Sequence, residues 1–94
     1  VKINGFIWID EIIEKLEQKH HVQQYEVREV FARQPKFRFV EKGHVSGEDV
    51  YAALGQTNTG RYLIVFFVYK KERQALILSA RNMTTAERRK HEEA

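Results

Sequence analysis

The chain has 94 residues, with 16 Lys and Arg against 13 Asp and Glu and a formal net charge of +3. This length supports one domain, spanning residues 1–94, and its 43% apolar content is too high for a disordered chain. There is no Cys, which excludes disulfides, thiolate metal sites and cysteine nucleophiles and is compatible with a reducing, cytoplasmic setting. No apolar run approaches the ~18–20 residues of a membrane span; the longest, residues 62–69, is strand-sized. Val1 in place of Met suggests a trimmed start, and the first residues do not form a signal peptide.

Asp10 is placed to cap a first helix, whose apolar positions Ile12, Ile13 and Leu16 follow the helical period. Trp8 and Ile9 precede it as a staple. A second helix is predicted over residues 24–33, burying Val27, Val30 and Phe31, with Tyr25 extending the stripe. Gln34 precedes the only Pro, Pro35, and resists helical geometry, so the helix stops there.

After Pro35 the period changes to two. Phe37 and Phe39 alternate with Arg38 and Val40 in a first strand, and residues 43–47 form a loop. A second strand is expected over residues 50–55. Asn58-Thr59-Gly60 is a hairpin signal leading to a third strand, residues 61–69, apolar on both faces and therefore central. A polar turn at residues 70–73 leads to a fourth strand over residues 74–81. Thr84-Thr85-Ala86-Glu87 is a capping box that opens a final basic helix without an apolar face. The expected fold is α+β: two N-terminal helices packed on one face of a four-stranded antiparallel sheet, with a short basic C-terminal helix.

Charge is concentrated late in the chain. Residues 60–91 carry eight cations and two anions, whereas residues 1–35 are slightly acidic and residues 36–59 neutral. Such a basic end suits a polyanion or an acidic protein partner, and equally a solvated face. The four His do not have the spacing of metal ligands, and there is no phosphate-loop or dinucleotide motif, so neither metal nor cofactor is expected.

Several short motifs occur in a fixed order: Phe6-Ile7-Trp8-Ile9-Asp10-Glu11, Lys19-His20-His21-Val22, Glu29-Val30-Phe31, Leu54-Gly55, Gly60-Arg61, Ser79-Ala80-Arg81 and Glu87-Arg88-Arg89. In this the chain resembles the BrnT family of type II toxins. The resemblance implies a RelE-like ribonuclease fold, inhibition of translation by cutting RNA, and neutralisation by a small cognate antitoxin encoded beside the toxin. It also implies cleavage without a metal. The 2′-hydroxyl attacks the neighbouring phosphorus, a base and an acid handle the protons, and cations stabilise the phosphorane.

On that basis Arg81, expected at a strand end on the same side as Ser79, Ile77 and Ala75, is the first catalytic candidate; Lys19 and His20 are secondary. Arg61, Arg88, Arg89 and Lys90 are candidates for binding RNA, and His44 and Glu48 are possible acid or base groups. The chain departs from the family pattern at Leu16, Val50 and Leu76, where Asn, Arg and Arg are usual, and at His21, Gln34 and His91, where Gly, Asp and Tyr are usual. The alternative reading is therefore a catalytically weak member that works as a protein- or RNA-binding module.

Overall fold

The computed structural model describes residues 2–93; Val1, and with it the expectation of a trimmed start, lies outside them. Strand β1 (Gly5–Ile7) is followed by helix α1 (Asp10–Lys15), a π-helical turn (Leu16–His20) and α2 (Gln24–Ala32). Strands β2 (Lys36–Glu41), β3 (Val50–Gln56), β4 (Tyr62–Lys70) and β5 (Gln74–Asn82) come next, with a 3-10 turn (Lys71–Arg73) before β5, and α3 (Thr85–Glu93) closes the chain.

The sheet has the order β1-β5-β4-β3-β2. The antiparallel meander β2 to β5 is the expected one, with β4 at its centre. The expected count of four strands is corrected to five, because β1 pairs in parallel with β5 at the edge, Phe6 opposite Ala75. Three residues are too short a run to display alternation, and their partner is far away in sequence.

The α1–α2 layer covers one face. Leu16, Val22, Val27 and Val30 pack there on Ala53, Leu63, Val65, Phe67, Ala75, Ile77 and Ala80. Phe67 is fully buried and touches the rings of Phe31, Phe37 and Tyr51 at 5.3, 5.9 and 6.0 Å between centroids. The opposite face holds a smaller cluster of Ala52, Leu54 and Ile64, with Phe66 and Met83 against it. No helix among the described residues is long and apolar enough to cross a membrane.

Local expectations are corrected at three places. Asp10 is the first helical residue rather than the cap; Ile9 occupies the cap position with extended backbone, and no side chain bonds there. Tyr25 is 54% exposed and does not extend the buried stripe of α2. Arg81 does not share a side with Ile77 and Ala75. Phe66 pairs with Ser79 but Phe67 with Ile77, so Leu78 is an extra residue in β5. That bulge reverses the alternation, placing Ser79 and Arg81 on the face of Phe66 and Ile64 while Ala75 and Ile77 enter the core.

His21 ends the π-helical turn in left-handed geometry, at φ 54°. Its position allows Val22 N–H to bond Leu16 C=O at 3.0 Å and turns the chain into α2. A left-handed L-residue costs ~1–2 kcal/mol, which glycine avoids at some expense in unfolded-state entropy. His21→Gly is therefore expected to raise unfolding free energy by roughly 0.5–1 kcal/mol in urea denaturation; a decrease would mean that the imidazole itself anchors the turn.

Candidate functional site

Arg81 leaves β5 beside Ile64 and leans over Phe66, its guanidinium carbon 5.6 Å from the ring centre. The Glu87 carboxylate grips the end of the guanidinium: Nη1 donates to Oε1 at 2.7 Å and Nη2 to Oε2 at 3.0 Å. Nη1 also donates to the Asn82 carbonyl at 3.1 Å. An arginine has about five N–H donors. Nε–H and the second Nη2–H, which form its side edge, have no partner among the described residues. That edge matches two oxygens of a phosphate.

Glu87 has a second task. Its Oε1 accepts the Thr84 N–H at 2.8 Å, and the Glu87 N–H donates to Thr84 Oγ1 at 3.1 Å, the reciprocal capping box expected from the sequence. One carboxylate thus couples the start of α3 to Arg81. The hydrogen bonds from Arg81, opposed by partial burial and helped by Thr84, hold the Glu87 carboxyl at about 2, against an ordinary 4.5. The Arg81 guanidinium is raised further, first by its bond to Glu87. A carboxyl with a depressed pKa contributes its stability above the ordinary value and loses it as pH falls through the folded value. Acidification from about pH 4.5 toward 2 is therefore expected to loosen α3. The Glu87 carboxyl carbon, followed by NMR, should titrate near 2 in wild type and return toward 4.5 in Arg81→Ala. An unchanged midpoint in the variant would assign the shift to the cap alone.

No residue of α3 is buried. The helix crosses the second face of the sheet and is held by polar and ring contacts. Lys36 Nζ donates to the His91 carbonyl at 2.8 Å, and the Arg88 guanidinium carbon lies 4.1 Å over the Tyr62 ring. Arg88 also pairs with Glu92, while Arg89 and Lys90 are exposed.

His91 packs edge-on to Tyr62, and its Nδ1 is the buried side-chain atom without a partner among the described residues. Burial, then the Lys36 charge, lower its pKa against the opposing pull of Glu92, so the ring is mostly uncharged at neutral pH. Sequence reasoning left His91 and Glu87 out of the site. The capping box was visible, but the Arg81 fork depends on the bulge at Leu78, and no residue pattern marks His91's burial.

The remaining candidates do not converge on Arg81. Arg61 is a staple. It donates to Asn82 Oδ1, to the His21 and His20 carbonyls and to the Glu26 carboxylate, at 2.7–3.2 Å. It ties both helices to the end of β5 and neutralises Glu26, which is 9% exposed. Lys19 and His20 therefore reach the same end of the sheet as Arg81 but belong to the layer of Leu16, on the opposite face. His44 is exposed on the 42–49 loop, and Glu48 is ion-paired with Lys70. Lys70 lies along β4 from Ile64 by roughly 20 Å, at ~3.4 Å per residue. Among the described residues no group of three or more His, Cys, Asp or Glu is arranged to hold a metal ion.

A family model described as ribonuclease toxin, BrnT, of type II toxin-antitoxin systems matches residues 8–87. Among solved structures, the chain resembles the crystal structure of the Brucella abortus ribonuclease toxin BrnT. The identity is 16% and the TM-score 0.58, over 89% of this chain and 100% of that one, a likeness of fold. No curated protein sequence matches the chain significantly.

Proposed function

Because the chain belongs to the BrnT family of ribonuclease toxins of type II toxin-antitoxin systems, we propose that it is a cytoplasmic, metal-independent endoribonuclease that inhibits translation and is neutralised by a cognate antitoxin. The observation that carries this reading is Arg81. Its end is fixed by Glu87, and its side edge is left to a phosphate. A guanidinium held before the reaction stabilises the phosphorane without reorganising during it.

The 2′-hydroxyl attacks phosphorus and the 5′-oxygen departs with a proton, leaving a 2′,3′-cyclic phosphate and a 5′-hydroxyl. His91, its pKa lowered by burial, stands one helical turn from Glu87 and is a candidate proton-transfer group on that face. Arg88, Arg89 and Lys90 steer RNA to α3. Lys19 and His20, on the other layer, meet a flanking stretch of the strand, and Arg61 supports the RNA-binding end through its staple. His44 and Glu48 lie too far along the sheet to share one phosphate with Arg81.

A second reading, a weakly catalytic binding module, is favoured by Val50 and Leu76. Both flank Val68 in one apolar row on the face of Arg81. A fluorogenic RNA assay with excess EDTA separates the two. Cleavage that persists in the chelator supports the first reading. RNA binding without cleavage leaves the second.

A further inference from the structure

The second face of the sheet is covered over half its length. α3 crosses it above Ile64 and Leu54, with Arg81 at one end of that row and Lys36 at the other. The next rows along the strands are Phe66 and Ala52, then Ile7, Leu76, Val68 and Val50. Ile7 is 38% exposed, and Phe66, Leu76 and Val50 are only half-buried although they lie within the sheet. The 42–49 loop packs against the Val50 end of the last row, where Val68 is buried, and its Val45, 60% exposed, lines a hollow with Ile7. The floor is a trough with apolar side chains, bounded by α3 and by this loop.

Alternate residues of a strand are ~7 Å apart, so two rows provide room for one helix of ~10–12 Å diameter. Such a helix would lie beside α3 at the usual ~8–10 Å spacing and complete a second layer. The flank that α3 turns toward the trough carries Ala86 and Lys90, which with Arg38 and Leu54 line a cleft of about 390 Å³. Arg38 is exposed at the edge of the floor.

We propose that this trough docks an acidic amphipathic helix of the cognate antitoxin, its apolar face on Ile7, Leu76 and Phe66 and its carboxylates toward Lys90 and Arg38. The identity of the partner rests on the ribonuclease-toxin reading. The chemistry of the occupant rests on the trough. A second copy of this chain would bring Arg38 and Lys90 against their own kind. An RNA strand would find few cations on the floor for its phosphates. The docked helix would also cover Phe66 and close the side edge of Arg81, so neutralisation works by occlusion.

The test uses the full chain and the antitoxin encoded by the adjacent reading frame. Affinity is measured by calorimetry for Ile7→Asp, Leu76→Asp, Arg38→Glu and, as a control on the other layer, Tyr25→Asp. Circular dichroism checks folding. Ile7→Asp and Leu76→Asp should weaken binding about 100-fold, as a charge in an apolar anchor site does, and Arg38→Glu about tenfold. Tyr25→Asp should stay within about twofold. Arg38→Glu and Ile7→Asp lie at sheet edges, so they remain informative if Leu76→Asp fails to fold. Unchanged affinity in both edge variants overturns the docking. So does a wild-type homodimer that Ile7→Asp dissociates, or RNA binding that Ile7→Asp alone abolishes. A wild type that cuts no RNA but whose antitoxin is released by Ile7→Asp retains the docking and refutes the nuclease reading. A wild type that cuts RNA and edge variants that keep their antitoxin do the reverse.

Discussion

Arg81→Ala is expected to lower RNA cleavage by about 100-fold or more, the scale of removing one preorganised donor from a developing oxyanion. The expectation follows from how the side chain is held. Glu87 fixes two nitrogens of the guanidinium at 2.7 and 3.0 Å, Phe66 supports it from below, and the bulge at Leu78 turns it to the face that α3 crosses. Neither Arg61 nor Arg88 combines that direction with an open donor edge. The donors of Arg61 are spent on the helix layer, and Arg88 lies on Tyr62. Arg81→Lys should recover part of the rate, because an ammonium keeps the charge and loses the fork. The substitution also frees Glu87, so circular dichroism must show α3 still formed. Full activity in a folded Arg81→Ala protein removes this guanidinium from the reaction.

Phe67→Ala should be the most damaging single change to stability. The ring is fully buried at the centre of β4 and touches three other rings, from α2, β2 and β3. Deleting it removes the transfer energy of an aromatic side chain and leaves a cavity whose walls belong to three different elements. Such losses run to ~3–5 kcal/mol. A domain of this size has about 5–15 kcal/mol in total, so a large share of the fold's margin goes. The melting temperature should fall by roughly 15 °C or more, at ~4–8 °C per kcal/mol. A fall of a few degrees would mean that Phe31 and Phe37 collapse into the space.

The meander from β2 to β5 and the central place of β4 were legible in the sequence. β2 alternates, the run of β4 is apolar on both faces, Pro35 marks the change of period, and Gly60, at φ 90°, makes the turn that its position in Asn58-Thr59-Gly60 suggests. The boundaries of α3 were equally legible, because Thr84 and Glu87 are a local pair. The family resemblance rested on short motifs, and the left-handed turn at His21 accounts for one of them: glycine suits that backbone.

Composition, period and capping chemistry act over a few residues, and so the sequence by itself determined the order of elements from α1 to α3, the α+β class and the basic character of the C-terminal end. Only the tertiary structure decided which residues meet. One unpaired residue, Leu78, moves Arg81 from the helix-covered face to the other one. The parallel pairing of β1 with β5 joins segments about 70 residues apart and supplies Ile7 to the apolar row. Arg61, one cation among many in the sequence, becomes a staple because the carbonyls of His20 and His21 end there unpaired by their own helix. Contacts of this kind are set by register and by long-range closure, and neither leaves a mark on local spacing.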